Sequence, residues 1–186
     1  QVPWGLALIT VSVHTVIAFR HGGPVAVPDI PSYLYPALSA TGLGEPLNTQ
    51  FHPGLGLMLA PATLLGVTGA NLHTAALLLN AAIAAMAIPL AYQLALGLGS
   101  SARVAIVACL VCAVFPVFAA GSRTAWPEPL LTIAVLAISV TLISGSTQGF
   151  FMAGLFATLS VASHPRALVF CSVLIASLAL SSYRKN

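Results

Sequence analysis

The chain has 186 residues, of which 5% are Asp, Glu, Lys or Arg and 59% are hydrophobic, whereas a soluble domain carries about 25% charged residues. Six basic and three acidic residues cannot cover a water-exposed surface, so a soluble globular enzyme is excluded. Disorder, which needs low hydrophobicity and high charge, is excluded with it. A mean hydropathy of +1.01 leaves a polytopic membrane protein, and the scattered basic residues form no patch for nucleic acid.

The first apolar run, about 2–19, ends at Arg20-His21-Gly22-Gly23-Pro24. No cleavage pattern follows it and further apolar runs do, so it is expected to stay as an anchor. A polar stretch, 20–51, comes next and carries Asp29, Tyr33, Tyr35 and Glu45. Segment 52–69 holds Pro53 and Pro61, and its apolar part of about 14 residues favours an interfacial or re-entrant element over a crossing. Runs at about 71–96, 103–120, 129–144, 148–164 and 167–183 follow. The expected fold is an all-α transmembrane helical bundle with about six spans and interfacial helices in the first outer loop, residues 20–70. The last two spans sit at the short end of the ~17–25 residues that a crossing takes. Pro89 and Pro116 are expected to kink their helices, and His14, in mid-span, to bond a neighbouring helix. Cys109, Cys112 and Cys171 lie in apolar runs and read as small buried thiols. The chain starts at Gln1 and is expected to be the N-terminal part of a longer protein.

Sidedness depends on segment 52–69. If it does not cross and the N-terminus is cytoplasmic, Arg103, Arg184 and Lys185 all lie inside, as the positive-inside rule prefers. Asp29, Glu45, Glu128, Arg20, Arg123 and Arg166 then share the outer face with His21, His52, His73 and His164. Charged groups at a membrane boundary are costly and ask for a function. Arg guanidinium forks match phosphate oxygens, so three Arg with three acids suit a phosphate-bearing ligand.

Pro28-Asp29-Ile30-Pro31-Ser32-Tyr33-Leu34-Tyr35 opens the outer loop, Phe51-His52-Pro53-Gly54 precedes the short apolar element, and Trp126-Pro127-Glu128-Pro129-Leu130 opens a later span. In order and spacing this resembles the N-terminal half of integral membrane glycosyltransferases of the GT-C fold, such as protein mannosyltransferases and aminoarabinose transferases. Ile30 stands where that family often has a second acid, and Gly54 replaces the second Pro of a Pro-Pro pair. The resemblance implies transfer of a sugar from a polyprenyl-phosphate donor to an acceptor glycan, lipid or protein on the extracytoplasmic face of a bacterial plasma membrane. It casts Asp29 as the base that takes the acceptor proton. Arg123 and Arg166, with Arg20 behind them, would stabilise the departing lipid phosphate. Glu128 would orient sugar or acceptor, Tyr33 belongs to the same substrate-binding set, and His52 would contact the phosphate or a divalent ion.

Structural roles compete with each assignment. Asp29 suits a helix N-cap, and His52-Pro53 suits the start of a short helix. No His pair has the i, i+4 spacing of a metal site. Two other functions stay open: a transporter or lipid-flippase segment, whose charges would sit within broken spans, and a non-catalytic membrane scaffold subunit.

Overall fold

The computed structural model describes residues 2–20, 30–44 and 52–183, without side chains at 175 and 178–183. Among the described residues there is no strand, and nine helices follow one another: α1 (Val2–Arg20), α2 (Ile30–Ala40), α3 (Gly54–Leu64), α4 (Gly69–Gly97), α5 (Ala102–Ala113), α6 (Pro116–Gly121), α7 (Glu128–Ile143), α8 (Thr147–Ser163) and α9 (Arg166–Tyr183). Three stretches are long and apolar enough to cross a membrane: α1, α4, and α5–α6 taken together from Ala102 to Gly121. The remaining apolar runs form helices α7, α8 and α9. At 16 residues, α7 falls just below the ~17–25 residues of an untilted crossing.

Segment 52–69 forms α3, whose 11 residues extend only about 16 Å at ~1.5 Å per residue, against a hydrocarbon core of about 30 Å. It stops in a Schellman turn: Val67 N–H donates to Ala62 O and Gly66 N–H to Thr63 O. Gly66 takes φ +82° there, a conformation that needs no Cβ. The same pattern closes α4 at Gly99, also at φ +82°, with Ser100 N–H donating to Ala95 O.

The two prolines within expected spans behave differently. Pro89 is buried inside a continuous α4 of 29 residues. Pro116 instead splits its span: Phe115 is extended, at φ −63° and ψ 126°, and Pro116 starts α6. A residue before proline avoids the helical region, and a proline at a helix start loses no needed donor.

Helix α4 is the hub, packed against α1, α5 and α7, while α8 packs along α7. Buried Ala84, Ala85, Ala87 and Ala91 keep its neighbours close, as small residues do where helices meet in an apolar medium. Ala7 of α1 meets Ala85 and Ile88 of α4. Farther along α1, His14 is level with Ser122, and so is Asn80 of α4 with Gly121. Helices α1 and α4 are therefore antiparallel, and α1 ends at the end of the bundle where α4 begins. The α2–α3 pair returns the chain to that end. Its core joins Tyr33, Leu34 and Ala37 to Leu55, Leu59 and Leu72, with Ala125. Gly56 makes this approach possible, because a Cβ there would lie 2.6 Å from Pro36 Cβ and 2.9 Å from Tyr33 O. At the opposite end, Gly97 abuts Ile143.

Candidate functional site

The end of the bundle where α1 stops and α7 starts gathers most of the described charge. Arg20, Arg123, Glu128 and Arg166 lie there, and Arg103 lies at the other end. The centre of this end is built from two hairpins.

The first is the α6–α7 connection. Glu128 is the first residue of α7, after Pro127, where a negative charge is favoured by the helix dipole. Its side chain is 29% exposed, and Oε1 lies 3.9 Å from His164 Nε2. Oε2 is buried and has no hydrogen-bond partner, which leaves one carboxylate oxygen with its lone pairs free.

The second is the α8–α9 connection, His164-Pro165-Arg166. His164 precedes a proline and is extended, at φ −159° and ψ 135°. Its ring folds forward so that Nδ1 accepts the N–H of Arg166 at 3.1 Å, satisfying a donor that the start of α9 leaves open. An Nδ1 that accepts is unprotonated, so the neutral ring carries its proton on Nε2, facing the Glu128 carboxylate. At 3.9 Å this is an electrostatic contact rather than a hydrogen bond.

Burial lowers the His164 pKa below the usual 6.5. The Glu128 carboxylate opposes this by pulling it up, while Arg166 and His52 push it further down. Arg166 and His52 are thus near enough for their charges to act on His164. The unfolded chain then binds a proton on His164 at a higher pH than the folded one. Stability is fully present above about pH 6.5 and falls as pH drops from there toward the lowered folded value. His164→Gln should flatten this part of the thermal midpoint against pH curve, measured between pH 7 and 5. An unchanged slope would mean that other groups carry it.

Helix α3 is held to the same place. A Cβ on Gly54 would collide with Ser163, so the start of α3 rests directly on the end of α8. This contact brings in His52, two residues before Gly54. Below it, α3, α4, α7 and α8 enclose a cavity of about 690 Å³, walled by Met58, Ile83, Met86, Ala134, Phe156 and Leu159 among others. Its lining is almost wholly apolar. Gly54, Leu130 and Ser163 also line it, each one or two residues from His52, Glu128 or His164. The ionisable cluster therefore adjoins one end of the cavity, and Thr141 and the exposed Gln93 line it toward the other end of the bundle.

The sequence-derived residues are distributed unevenly around this centre. Glu128, Arg166 and His52 come together. Arg123 is exposed on the α6–α7 connection, and Arg20 is exposed at the end of α1. Tyr33 is buried in the α2–α3 core. Asp29, as well as Glu45, lies outside the described residues. Among the described residues no three of His, Cys, Asp or Glu are close enough to hold a metal ion, so His52 gains no ligand partners there.

Two residues to which the sequence analysis gave no role belong to this end. One is His164. Its signal was the His-Pro-Arg hairpin itself, which forces an imidazole into the turn. The other is Asn80, the lone amide in the middle of the apolar run 71–96. It donates to the carbonyls of Gly121, Thr124 and Trp126 at 3.2, 3.3 and 3.1 Å. A polar side chain inside such a span calls for a partner. His14, expected to bond a neighbouring helix, pairs through Nδ1 with Ser122 Oγ. The chain matches no protein-family model, and no curated protein or solved structure is detectably similar to it.

Proposed function

We propose that this chain is the membrane-embedded part of a glycosyltransferase, which moves a sugar from a polyprenyl-phosphate carrier to an acceptor on the extracytoplasmic face. The observation that carries the reading is the pairing of a charged cluster with an apolar cavity that it adjoins. A lipid-linked sugar has the same two parts, an anionic sugar-phosphate head and a hydrocarbon tail. The cavity, between packed helices and almost free of polar lining, suits the tail. Arg166 and His52 adjoin one end of the cavity and suit the phosphate, with Arg123 on the adjoining loop. In this reading the chain crosses the bilayer about six times from a cytoplasmic N-terminus, and α2 and α3 lie along the outer surface.

Three chemical tasks fall to named residues. Asp29 takes the proton from the acceptor hydroxyl as its oxygen attacks the anomeric carbon and the bond to the phosphate oxygen breaks. The Arg groups stabilise the negative charge that develops on the departing phosphate. Glu128, held on one side by His164 and part-exposed, accepts a hydrogen bond from a sugar or acceptor hydroxyl. Charges at helix ends, with none within the described spans, favour this reading over transport, which places them along a path between broken helices.

The test is a transfer assay in proteoliposomes with a panel of polyprenyl-phosphate sugars, nucleotide sugars serving as controls. Acceptor-dependent release of polyprenyl phosphate is expected from the lipid-linked donors alone. Movement of intact donor across the bilayer without sugar release would replace this reading with a flippase.

A further inference from the structure

We infer that Asn80 is a positioning residue for the head-group site, holding the α6–α7 connection that carries Arg123 and leads to Glu128. The inference rests on the reading above for its reaction, but its geometry stands independently. Gly121, Thr124 and Trp126 present three carbonyls toward α4, at the point where α6 ends and its carbonyls lose their helical partners. Asn80 is 2% exposed and answers all three with the two hydrogens of Nδ2, so one hydrogen is shared. The orientation of the amide is unambiguous. A flipped side chain would set Oδ1, an acceptor, against three acceptors. Oδ1 instead has no partner and is buried, so the amide gives up a bond on its own oxygen to keep the loop.

A second side chain grips the same loop from another helix. The Ser122 hydroxyl donates to Phe118 O at 2.8 Å, which commits its hydrogen, so the His14 ring must donate from Nδ1 to Ser122 Oγ. The loop is thus tied to α1 and α4 from within the bundle. Its other side carries Arg123, exposed and in no ion pair among the described residues, and leads in five residues to Glu128. Neither Asn80 nor His14 lines the cavity, so the effect of Asn80 on the reaction is expected to pass through the loop.

The experiment compares Asn80→Ala, Arg123→Ala and the double variant in the intact protein, with Trp126 kept as the sole tryptophan. Trp126 sits on the latched loop, so its emission and acrylamide quenching report the loop without any substrate. Released from Asn80, Trp126 should shift to the red and become more quenchable. With a polyprenyl-phosphate sugar as donor, kcat should fall about 100-fold, the size of loss that a misplacement of about 1 Å produces. In the Arg123→Ala background the further loss should shrink to within a few-fold, because the two residues act as one unit. Losses that multiply independently, or a Trp126 signal that does not move, would overturn the proposal. If Asn80→Ala loses the fold, Asn80→Ser, with one donor hydrogen in place of two, carries the same cycle. If the unaltered protein transfers no sugar, the glycosyltransferase reading fails, and the Trp126 signal alone decides the latch.

Discussion

Asp29→Asn is expected to reduce sugar transfer by about 10²- to 10⁴-fold, the usual contribution of a positioned general base, while the thermal midpoint stays near that of the unaltered protein. The choice of Asn matters because the sequence offers Asp29 a capping role beside the proposed catalytic one. It comes immediately before Ile30, the first residue of α2, and Asp is a favoured residue for capping a helix start. Asn caps about as well as Asp but cannot take a proton. If Asp29 has both roles, Asp29→Asn removes the base and keeps the cap, whereas Asp29→Ala removes both and should add a stability loss of about 1 kcal/mol. The measurement is turnover under saturating donor for both variants, alongside their thermal midpoints. Wild-type turnover in Asp29→Asn would rule out Asp29 as the base. Glu128 would then be the next carboxylate to test, since it is part-exposed beside His164 and its Oε2 has no hydrogen-bond partner. A Glu128→Gln variant that lost transfer while Asp29→Asn kept it would assign the proton to Glu128.

What could be read from the sequence, and what could not, follows from the range of the forces involved. Helix positions were legible because an apolar run bounded by charge, Gly or Pro is a local signal. The runs expected at 71–96 and 103–120 became α4 and the α5–α6 rod nearly residue for residue. The length of segment 52–69 likewise foretold an element too short to cross. The split at Pro116 and the continuity at Pro89 were not separable in advance. Both sit in apolar surroundings, and only the extended Phe115 decides that the first becomes a helix start.

The site was legible as a set of charges on one face but not as a geometry. The pairing of His164 with Glu128 depends on an imidazole folding onto the Arg166 N–H, then meeting a side chain 36 positions earlier. The placing of His52 depends on Gly54 lying flat against Ser163, a long-range packing event. The burial of Tyr33 has the same origin: Gly56 lets α3 press onto α2, and the ring is enclosed by the contact. The cavity could not be read at all, since four helices must pack before it exists. Its apolar lining residues look like any other lipid-facing residues in the sequence.

That cavity makes a prediction sharp enough to separate a lipid-linked donor from a soluble one. Ala134 of α7 is 6% exposed and lines the cavity, so Ala134→Trp puts an indole where the hydrocarbon tail is proposed to lie. Each methylene kept from burial costs about 0.8 kcal/mol, and about 1.4 kcal/mol is tenfold in affinity. Displacing only two methylenes therefore raises KM about tenfold for a long-chain donor. A donor with a tail of a single isoprene unit, too short to span the about 9 Å along α7 from Glu128 to Ala134 at ~1.5 Å per residue, should keep its KM and its kcat. The contrast between the two donors is the readout, because a general loss of fold would lower both. Forcing a large ring into a packed position also costs about 1–3 kcal/mol of stability, so Leu159→Trp on α8 serves as the second variant. Leu159 lines the same cavity and is 52% exposed, which leaves room for the indole with little strain. Long- and short-chain donors weakened equally by both variants would mean that the tail lies elsewhere. A KM raised for the long donor alone would place the hydrocarbon tail between α7 and α8, directly beneath Glu128 and His164.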